Sequence, residues 1–203
     1  MSFFVQVAQK PLCLSKEPQK MYNIPETLLF VKNEVSMEFW DIYDKDKKLT
    51  GRTMKRNDWH MADGDYHLTV LGVIKRPDGK YLITKRVSTK EWAPGAYEVS
   101  GGGVRAGETS EQAVRREVLE ETGLDIDNAV SGGFVFTYRR DNPDEKNNYF
   151  VDVYEYVMDV KDSDIHLQLE ETDGYRFADT DEIKSLADQG MFLHYDSIKQ
   201  VFN

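Results

Sequence analysis

The chain has 203 residues, of which 40% are hydrophobic, and a formal net charge of −10 at pH 7. A chain of this length favours one globular domain with an elaboration over two domains. Because the excess negative charge repels a phosphate backbone and no long run of Lys or Arg offsets it, the composition argues against bulk nucleic acid as a partner.

Neither a membrane span nor a secretory signal is visible in the sequence. No stretch approaches the roughly 18 consecutive apolar residues that a membrane helix needs. We therefore expect a cytoplasmic protein without a membrane partner. Cys13 is the single cysteine, which excludes an internal disulfide and a cysteine zinc cluster. Any bound metal is expected to have oxygen or histidine ligands.

Residues 1–35 contain three prolines and no sustained helical or strand period, so they are predicted to form an N-terminal extension. The remaining residues, 36–203, are predicted to form one domain, with a hairpin elaboration over 36–62 and the core over 63–203. The hairpin prediction rests on the aromatic run Met37–Tyr43, which a polar turn joins to Leu49–Thr53.

The core combines β-forming runs with helical patterns, which predicts a single mixed α/β domain. The predicted strands are His67–Ile74, Tyr81–Arg86, Phe134–Tyr138 and Tyr149–Val157, with short pieces near Leu167 and Phe177. The first two strands are expected to pair, because Arg76–Gly79 between them is a turn signal. The predicted C-terminal helices are one capped by Thr180 or Asp181 and running through Leu186, and one from Asp196 to Val201.

The segment Gly101–Leu124 opens with three glycines and continues in helix-forming residues. Thr109 and Gln112 have the spacing of a capping box, and Gly123 suits the left-handed position after a last helical turn. These signals predict a helix over Ser110–Thr122. The glycines permit close approach of the backbone, so a phosphate is expected to sit against a glycine loop here.

Three glutamates of this helix, Glu117, Glu120 and Glu121, are spaced to lie near one another. At about 100° per residue all three share one side of the helix with the apolar residues that should face the domain, whereas a purely solvated acidic face would lie opposite. Glutamates three and four residues apart repel one another, and a bound dication would remove that repulsion. Clustered oxygen ligands suit Mg²⁺ or Mn²⁺, which polarise phosphoryl groups and acidify bound water. The alternative is an exposed acidic run paired with Arg116.

A fixed pattern runs through this segment: Gly, five residues, Glu, seven residues, and then Arg-Glu-apolar-any-Glu-Glu-any-Gly-apolar. The residues that supply it are Gly102, Glu108, Arg116, Glu117, Val118, Glu120, Glu121, Gly123 and Leu124. The pattern resembles the Nudix box. The resemblance implies a Nudix fold, an α/β/α sandwich with a mixed β-sheet, and a pyrophosphatase-like hydrolysis of a diphosphate in a nucleotide derivative by metal-activated water.

The resemblance also implies roles for individual residues. The implied metal ligands are Glu117, Glu120 and Glu121, with Glu108 as an outer ligand or organiser. The implied catalytic residues are Glu117, Glu120 and Arg116, whose guanidinium would orient a carboxylate by a charge-assisted hydrogen bond. Glu117 is one candidate for the general base. Some relatives take the base from a later loop, where Glu170 and Glu171 are the candidates.

Similarity extends upstream of the box. The stretches Glu38–Asp44 and Thr50–Thr53 and the strand from His67 are similar to Nudix proteins related to isopentenyl-diphosphate isomerase. An isomerase is one alternative, but that family uses a cysteine before the box and Trp92–Ser100 has none. His67 aligns with a metal-binding histidine of the isomerase and is a candidate ligand or structural residue. A non-catalytic nucleotide-binding module is the other alternative; such proteins commonly lose a box glutamate, and this chain retains them all.

Residues outside the helix are candidates for contact with a small-molecule diphosphate. The phosphate candidates are Gly102, Gly103, Arg86, Arg105, Arg139 and Arg140, and the base-stacking candidates are Trp92, Tyr97 and Tyr138. The polar loop Asp141–Asn148 is a candidate lid. The aromatic hairpin around Phe39, Trp40 and Tyr43 is a candidate homodimer interface.

Overall fold

A mixed β-sheet covered on both faces forms the domain, and a separate two-stranded hairpin precedes it. The computed structural model describes residues 38–56, 58, 61–142 and 144–202. The predicted extension over residues 1–35 lies outside the described residues. No helix in the described ranges has both the length and the apolar character needed to cross a membrane.

Six strands precede the first helix, and three more strands precede the two C-terminal helices. The strands are β1 (Phe39–Tyr43), β2 (Leu49–Lys55), β3 (His67–Lys75), β4 (Tyr81–Arg86), β5 (Tyr97–Glu98), β6 (Ser100–Gly103), β7 (Ser131–Arg140), β8 (Tyr149–Val157) and β9 (Thr172–Ala178). The helices are α1 (Ser110–Thr122), α2 (Thr180–Asp188) and α3 (Tyr195–Ile198), with short 3-10 turns at Ile126–Asn128, Asp162–Asp164 and Lys199–Val201.

Strand β3 is the centre of the seven-stranded sheet. It pairs in parallel with β8 along its whole length and antiparallel with β6. Strand β4 pairs with β5 and β9, and β7 pairs with β8. The predicted pairing of β3 with β4 is confined to Lys75 and Tyr81 at the turn. Beyond that turn β3 pairs with β6 and β8, whereas β4 pairs with β5 and β9. The turn residues Arg76–Gly79 therefore predicted the turn correctly but not the order of strands in the sheet.

Alternate residues of β3 face two separate hydrophobic cores, as the two-residue period of a strand requires. Val70 packs on the side of α1 with Val114. Val73 packs on the other side with Ile183 of α2 and Ile198 of α3. All five side chains are fully buried, and burial of each stabilises the fold by about 1.5–3 kcal/mol. The predicted α/β/α sandwich with a mixed sheet and an N-terminal hairpin is therefore confirmed.

Helix α1 has the predicted limits and the predicted caps. The Thr109 hydroxyl accepts a hydrogen bond from the Gln112 backbone N–H, and the Gln112 side chain accepts one from the Thr109 N–H. Gly123 ends the helix in the left-handed region, at φ 75°. These caps satisfy backbone groups that a helix terminus otherwise leaves unpaired, so they fix where the helix starts and stops.

The β1–β2 hairpin is fastened to the core at two points. The backbones of Tyr43 and Tyr66 exchange hydrogen bonds of 2.7 and 2.9 Å. Lys47, in the hairpin turn, donates to the buried Asp152 carboxylate of β8. Leaving that carboxylate buried without its partner would cost about 3 kcal/mol, so the ion pair holds the hairpin in place. Trp40 is only 5% exposed, which removes it from the candidate dimer interface.

Leu167 lies in an irregular segment of the described range 144–202, so the strand predicted near it is wrong. The backbone N–H groups on either side donate to the end of α1 instead. His166 donates to the Thr122 carbonyl at 2.8 Å and Gln168 to the Glu121 carbonyl at 3.3 Å. Because these N–H groups satisfy the C-terminal carbonyls of the helix, they are not available to a neighbouring strand.

Smaller differences concern element ends. Strand β7 begins at Ser131, three residues before the predicted start, because its glycines also pair with β8. Helix α2 is capped by Asp179, whose carboxylate accepts from the Glu182 N–H at 2.8 Å, and not by Thr180 or Asp181. The strand predicted near Phe177 is β9, and the last predicted helix is α3 with the 3-10 turn after it.

Candidate active site

Two of the three helix glutamates point into the domain. With Ala113 at zero, the buried positions of α1 span about 180° of the helical wheel, and Glu117 and Glu121 fall inside that arc. Glu120 falls outside it. The Glu117 side chain is 12% exposed and that of Glu120 is 46% exposed. The predicted inward face is therefore correct for Glu117 and Glu121 and wrong for Glu120.

Arg116 contacts three of the four carboxylates of the box pattern. Its Nε and Nη2 donate to the two oxygens of Glu108, each at 2.9 Å. Its Nη1 donates to Glu117 Oε1 at 2.5 Å and lies 3.4 Å from Glu120 Oε2. Nη2 also donates to the Gly103 carbonyl at 3.1 Å. Because the guanidinium is planar and bonded on all sides, it fixes the Glu117 carboxylate relative to β6.

The two carboxylates bound to Arg116 differ in their electrostatic balance. Burial alone would raise the pKa of Glu108, but hydrogen bonds from Arg116 and from the Arg105 backbone N–H outweigh it, and the pKa of Glu108 is lowered. Burial raises the pKa of Glu117 despite Arg116, and the Glu120 charge adds to the rise. Glu108 is thus a fully compensated anion, whereas Glu117 would gain from a further positive charge.

The glycine stretch is strand β6 and not a loop, which corrects the expected phosphate loop. Gly102 pairs with Val70 of β3. A Cβ on Gly102 would lie 2.4 Å from Glu117 Oε1, and one on Gly103 would lie 2.6 Å from Trp40 Nε1. The glycines therefore let a carboxylate and an indole approach the strand. Their proposed contact with substrate remains a prediction.

A small cavity of about 180 Å³, called here the acidic cavity, lies beside Gly101 of β6 and Glu121 of α1. Three glutamates and three cationic side chains line it: Glu98, Glu121, Glu171, Arg56, Arg86 and Lys90. Burial raises the pKa of Glu121 well above its usual range, and the charges of Glu98 and Glu117 add to the rise. Burial also raises the pKa of Glu98, although Arg86 opposes it. The charges of the lining balance in number, but burial and the neighbouring acids leave the charge of Glu121 poorly compensated.

Two cations of the acidic cavity form ion pairs with carboxylates of its lining. Arg86 Nη1 donates to Glu98 Oε1 at 2.9 Å, and Lys90 Nζ lies 3.1 Å from Glu171 Oε1. Of the two predicted later-loop candidates for the base, Glu171 lines this cavity, whereas Glu170 is exposed and is not among the lining residues.

Arg105, a predicted phosphate contact, lies outside the acidic cavity. Its Nη2 pairs with Glu38 at 2.8 Å and with Glu120 at 3.7 Å. Beside it, the Gly107 N–H donates to Asp41 of β1 at 2.7 Å. Arg105 therefore joins the hairpin to the loop before α1, and its contact with phosphate stays a prediction.

The donor chemistry of the acidic cavity fits a hard divalent cation. Glu98 and Glu121 of the lining and the nearby Glu117 are partly buried carboxylates, and the charges of Glu98 and Glu117 both act against that of Glu121. Oxygen donors of this kind are what Mg²⁺ or Mn²⁺ prefers. Within the described residues, no three His, Cys, Asp or Glu side chains are arranged to hold an ion as they stand. Arg116 occupies the space between Glu117 and Glu120, so a shell around one ion requires rotation of a side chain.

A second cavity of about 540 Å³, called here the aromatic cavity, shares Arg56 with the acidic cavity. Three predicted contact residues line it: Trp92, Tyr138 and Arg140. The predicted contacts Tyr97 and Arg139 lie elsewhere, since Tyr97 accepts a hydrogen bond from Arg176 and Arg139 pairs with Asp141. The candidate lid contributes Glu145 and Asn147 to the lining, among the described part of that loop.

His67 forms part of the wall of the aromatic cavity. Its ring is stacked on Trp40 at a centroid distance of 4.1 Å, and its Nε2 lies 3.0 Å from Asn147 Oδ1. Burial lowers the pKa of His67 to about 4, which keeps the ring neutral near pH 7. These contacts favour a structural role over a ligand role.

Three charged residues of the acidic cavity were not predicted from the sequence as site residues: Glu98, Arg56 and Lys90. Glu98 carries a detectable signal, because it is a charged residue between the buried Tyr97 and Val99, in a segment that continues into β6. Arg56 and Lys90 carry none, since they lie in turns where a positive residue is ordinary.

Comparisons with known proteins identify the family of this chain and similar folds. The family model described as NUDIX domain matches residues 65–200. An uncharacterized Nudix hydrolase of Listeria monocytogenes is 37% identical over 169 residues, which cover 82% of this chain and 95% of the relative. The structure of DR0079 from Deinococcus radiodurans is similar with a TM-score of 0.62, at 23% identity, over 76% of this chain and 91% of that one. The NUDIX domain of Shewanella oneidensis NrtR, complexed with ADP ribose, has a TM-score of 0.51 at 18% identity, over 66% and 84% of the two chains.

Proposed function

This chain belongs to the Nudix hydrolase family, and on that basis we propose that it hydrolyses the phosphoanhydride bond of a nucleoside diphosphate derivative with the help of a divalent cation. The observation that carries the proposal is the acidic cavity, where three carboxylates and three cationic side chains meet. Carboxylates bind hard cations, whereas guanidinium and ammonium groups bind phosphate oxygens. A cavity that offers both suits a diphosphate beside a metal ion.

The residues that would hold the cation are Glu117, Glu120 and Glu121, with Glu98 as an addition from the cavity lining. The cation would neutralise phosphate oxygens and make a nearby water more acidic. Among the described residues, Glu120 is held by two long ion pairs, 3.4 Å to Arg116 and 3.7 Å to Arg105. Exposed pairs of this length contribute at most about 1 kcal/mol, so its carboxylate is free to turn.

The other side chains would bind and orient the substrate. Arg86, Lys90 and Arg56 offer positive charge to the phosphates from the same cavity that holds the carboxylates. Arg116 acts through Glu117, whose carboxylate it holds at 2.5 Å, and Glu108 holds Arg116 in turn. We regard Arg116 and Glu108 as positioning residues, because their polar atoms are engaged with one another.

Glu171 is the general base of this proposal. Its carboxylate lies at the rim of the acidic cavity and is partly exposed, so it can accept the proton of an attacking water and pass it to solvent. Lys90, at 3.1 Å, holds the carboxylate in place. Glu117 then binds the cation and does not act as the base. The sequence had made it a candidate for both roles.

The experiment is a screen of diphosphates with and without Mg²⁺, with product identification, on wild type and on Glu121→Gln. We expect hydrolysis that depends on the cation and a loss of at least about 100-fold in kcat for Glu121→Gln, since a buried ligand charge is removed. Binding of Mn²⁺, measured by paramagnetic resonance, should weaken in the same variant. Isopentenyl diphosphate should not be isomerised.

Glu111→Gln is the matched control, because Glu111 lies on the same helix, is exposed and does not line the acidic cavity. It should hydrolyse and bind Mn²⁺ like wild type. Equal rates in Glu121→Gln and wild type would refute the metal assignment. Tight nucleotide binding without turnover of any diphosphate would instead support a binding module.

A further inference from the structure

We propose that Glu38 is a positioning residue for the hydrolysis, because its carboxylate holds the guanidinium of Arg56 where the acidic and aromatic cavities meet. This rests on the proposed function, in which Arg56 binds phosphates of the substrate. Glu38 would thereby make the β1–β2 hairpin part of the substrate site. Both residues precede residue 65, where the match to the family begins, so the family pattern does not account for them.

The strand register of the hairpin places Glu38 and Arg56 opposite each other. Phe39 pairs with Lys55 in the antiparallel ladder. One step further, the Arg56 N–H donates to the Glu38 carbonyl at 2.8 Å. Directly opposed residues of a hairpin have side chains on the same face and within reach of each other. Arg56 Nη1 accordingly donates to Glu38 Oε2 at 2.5 Å, so the backbone of the hairpin sets where this guanidinium lies.

Both oxygens of the Glu38 carboxylate are occupied by arginines. Oε2 accepts from Arg56, whereas Oε1 accepts from Arg105 Nε at 3.0 Å and lies 2.8 Å from Arg105 Nη2. Burial alone would raise the pKa of Glu38, but the hydrogen bonds and charges of the two arginines outweigh it, and the pKa is lowered. Glu38 is therefore an anion near pH 7, and charge-assisted bonds on two sides fix its orientation.

One carboxylate between two guanidinium groups leaves a surplus of positive charge. Arg105 also lies 3.7 Å from Glu120, the carboxylate that is free to turn toward the cation. Once Glu120 turns, the group of Glu38, Arg56 and Arg105 holds two positive charges and one negative charge. A contact that only fastened the hairpin would need a single cation, whereas the surplus suits the approach of a phosphate.

Arg56 lies at the junction of the two cavities, since it lines both of them. Its charge also acts on a carboxylate of the box pattern: burial raises the pKa of Glu117, and Arg116 and Arg56 oppose that rise. Counted over the described residues, Glu38 accepts from one of the five N–H donors of the Arg56 guanidinium. The side chain is 48% exposed, so the other donors are available to a phosphate in either cavity.

The hairpin has other contacts with the core that do not involve the Glu38 carboxylate. The Ala106 N–H donates to the Phe39 carbonyl at 2.7 Å, and Lys47 forms an ion pair with Asp152. The Arg56 N–H bonds to the Glu38 backbone and not to its side chain. Glu38→Gln keeps all these contacts and the shape of the side chain, so we expect the hairpin to stay docked while the hold on Arg56 weakens.

The test uses methylenediphosphonate, a diphosphate analogue whose carbon bridge cannot be hydrolysed as an anhydride. Its binding is measured by calorimetry with Mg²⁺ in wild type, Glu38→Gln, Arg56→Gln and the double variant. We expect binding to be about 10- to 100-fold weaker in Arg56→Gln and about 5- to 20-fold weaker in Glu38→Gln, because a charge-assisted hydrogen bond to phosphate is lost or misdirected. In the Arg56→Gln background, Glu38→Gln should cause no further loss. Binding of Mn²⁺ alone should be unchanged in Glu38→Gln.

Arg52→Gln is the matched control. It removes another ion pair of the same hairpin, between Arg52 of β2 and Asp65 at 2.6 Å, and Arg52 lines neither the acidic nor the aromatic cavity. This variant should lose thermal stability and bind methylenediphosphonate like wild type. A role of Glu38 in fastening the hairpin alone would instead give the two variants similar affinities.

Four outcomes would overturn the inference. These are wild-type affinity in Glu38→Gln, equal losses in Glu38→Gln and Arg52→Gln, a full further loss in the double variant, and no binding of methylenediphosphonate by wild type. Failure of the proposed function looks different, because the analogue would then bind in a Glu38-dependent way while no diphosphate is hydrolysed. Conversely, hydrolysis of a diphosphate together with wild-type affinity in Glu38→Gln would leave the hydrolase proposal standing and remove this one.

Discussion

The Cα of Gly102 in β6 lies directly against the carboxylate of Glu117 in α1. A Cβ at position 102 would stand 2.4 Å from Oε1 and 2.7 Å from Oε2, closer than real Cβ atoms approach oxygen. The glycine has an ordinary strand conformation, since it is not among the positive-φ residues of the described chain. Its role is therefore to admit the carboxylate, and this contact sets where Glu117 can be.

Gly102→Ala is expected to displace the Glu117 carboxylate and to lower kcat by about 100-fold, the effect of a misplacement near 1 Å. The protein should still fold, because the added methyl group meets only the Glu117 side chain, which can rotate away, and no backbone atom. Gly101→Ala is the contrast, since its Cβ would stand 2.3 Å from the Val70 backbone carbonyl and should destabilise the sheet. Thermal unfolding and kcat of both variants distinguish these effects. Full activity in Gly102→Ala would contradict the assigned position of Glu117.

Arg116→Lys should weaken both the site and the fold. Lys cannot reproduce the two bonds to Glu108 together with those to Glu117 and Gly103, and the Arg116 side chain is only 15% exposed. We expect a loss of about 10- to 100-fold in kcat and about 2 kcal/mol in the free energy of unfolding by urea. Arg115→Lys, where the partner Asp127 is exposed, should change stability by no more than about 0.5 kcal/mol. Similar losses in both variants would refute the positioning role.

Glu171→Gln and Glu170→Gln form a matched pair of adjacent substitutions. Only Glu171 lines the acidic cavity, so only its variant should lose the general base. A loss of about 100- to 10,000-fold in kcat is expected for Glu171→Gln, and little change for Glu170→Gln. Wild-type kcat in Glu171→Gln would return the role to Glu117.

Stability should fall with acidification because of His67. Its pKa in the folded protein is lowered from an ordinary value of 6.5 to about 4, with burial as the main cause. The unfolded chain therefore takes up the proton first, and the stability present above pH 6.5 is lost as the pH falls toward 4. The full effect is about 3 kcal/mol. Urea unfolding between pH 7.5 and 4.5 should show this slope in wild type and a smaller one in His67→Gln.

The exposed His166 supplies the control for that experiment. His166→Gln should retain the wild-type pH dependence. An unchanged slope in His67→Gln would show that other groups account for the acid sensitivity. The difference between two proteins is the informative quantity here, because the buried glutamates titrate in both.

Local patterns were enough to locate most of the elements, although strands β5 and β6 were not predicted. The helix Ser110–Thr122, its capping box and the left-handed Gly123 follow from side-chain-to-backbone hydrogen bonds within a few residues, which the sequence contains in full. The strands His67–Lys75 and Tyr149–Val157 follow from continuous β-forming runs. The wrong strand near Leu167 failed because its backbone partners lie at the end of α1, far away in sequence.

The sequence by itself determined the family, the glutamates of the box and the preference for hydrolysis, because these depend on residue type and fixed spacing along one segment. Only the tertiary structure decided that Glu121 lies with Glu98 and Glu171, that Glu120 faces outward, and that Trp92 and His67 share a cavity. These are contacts between residues from separate strands and loops. Spacing along the chain carries no information about which charges from distant segments lie in the same cavity. The Gly102–Glu117 contact positions one carboxylate, and the packing of separate strands and loops places the acidic cavity near it.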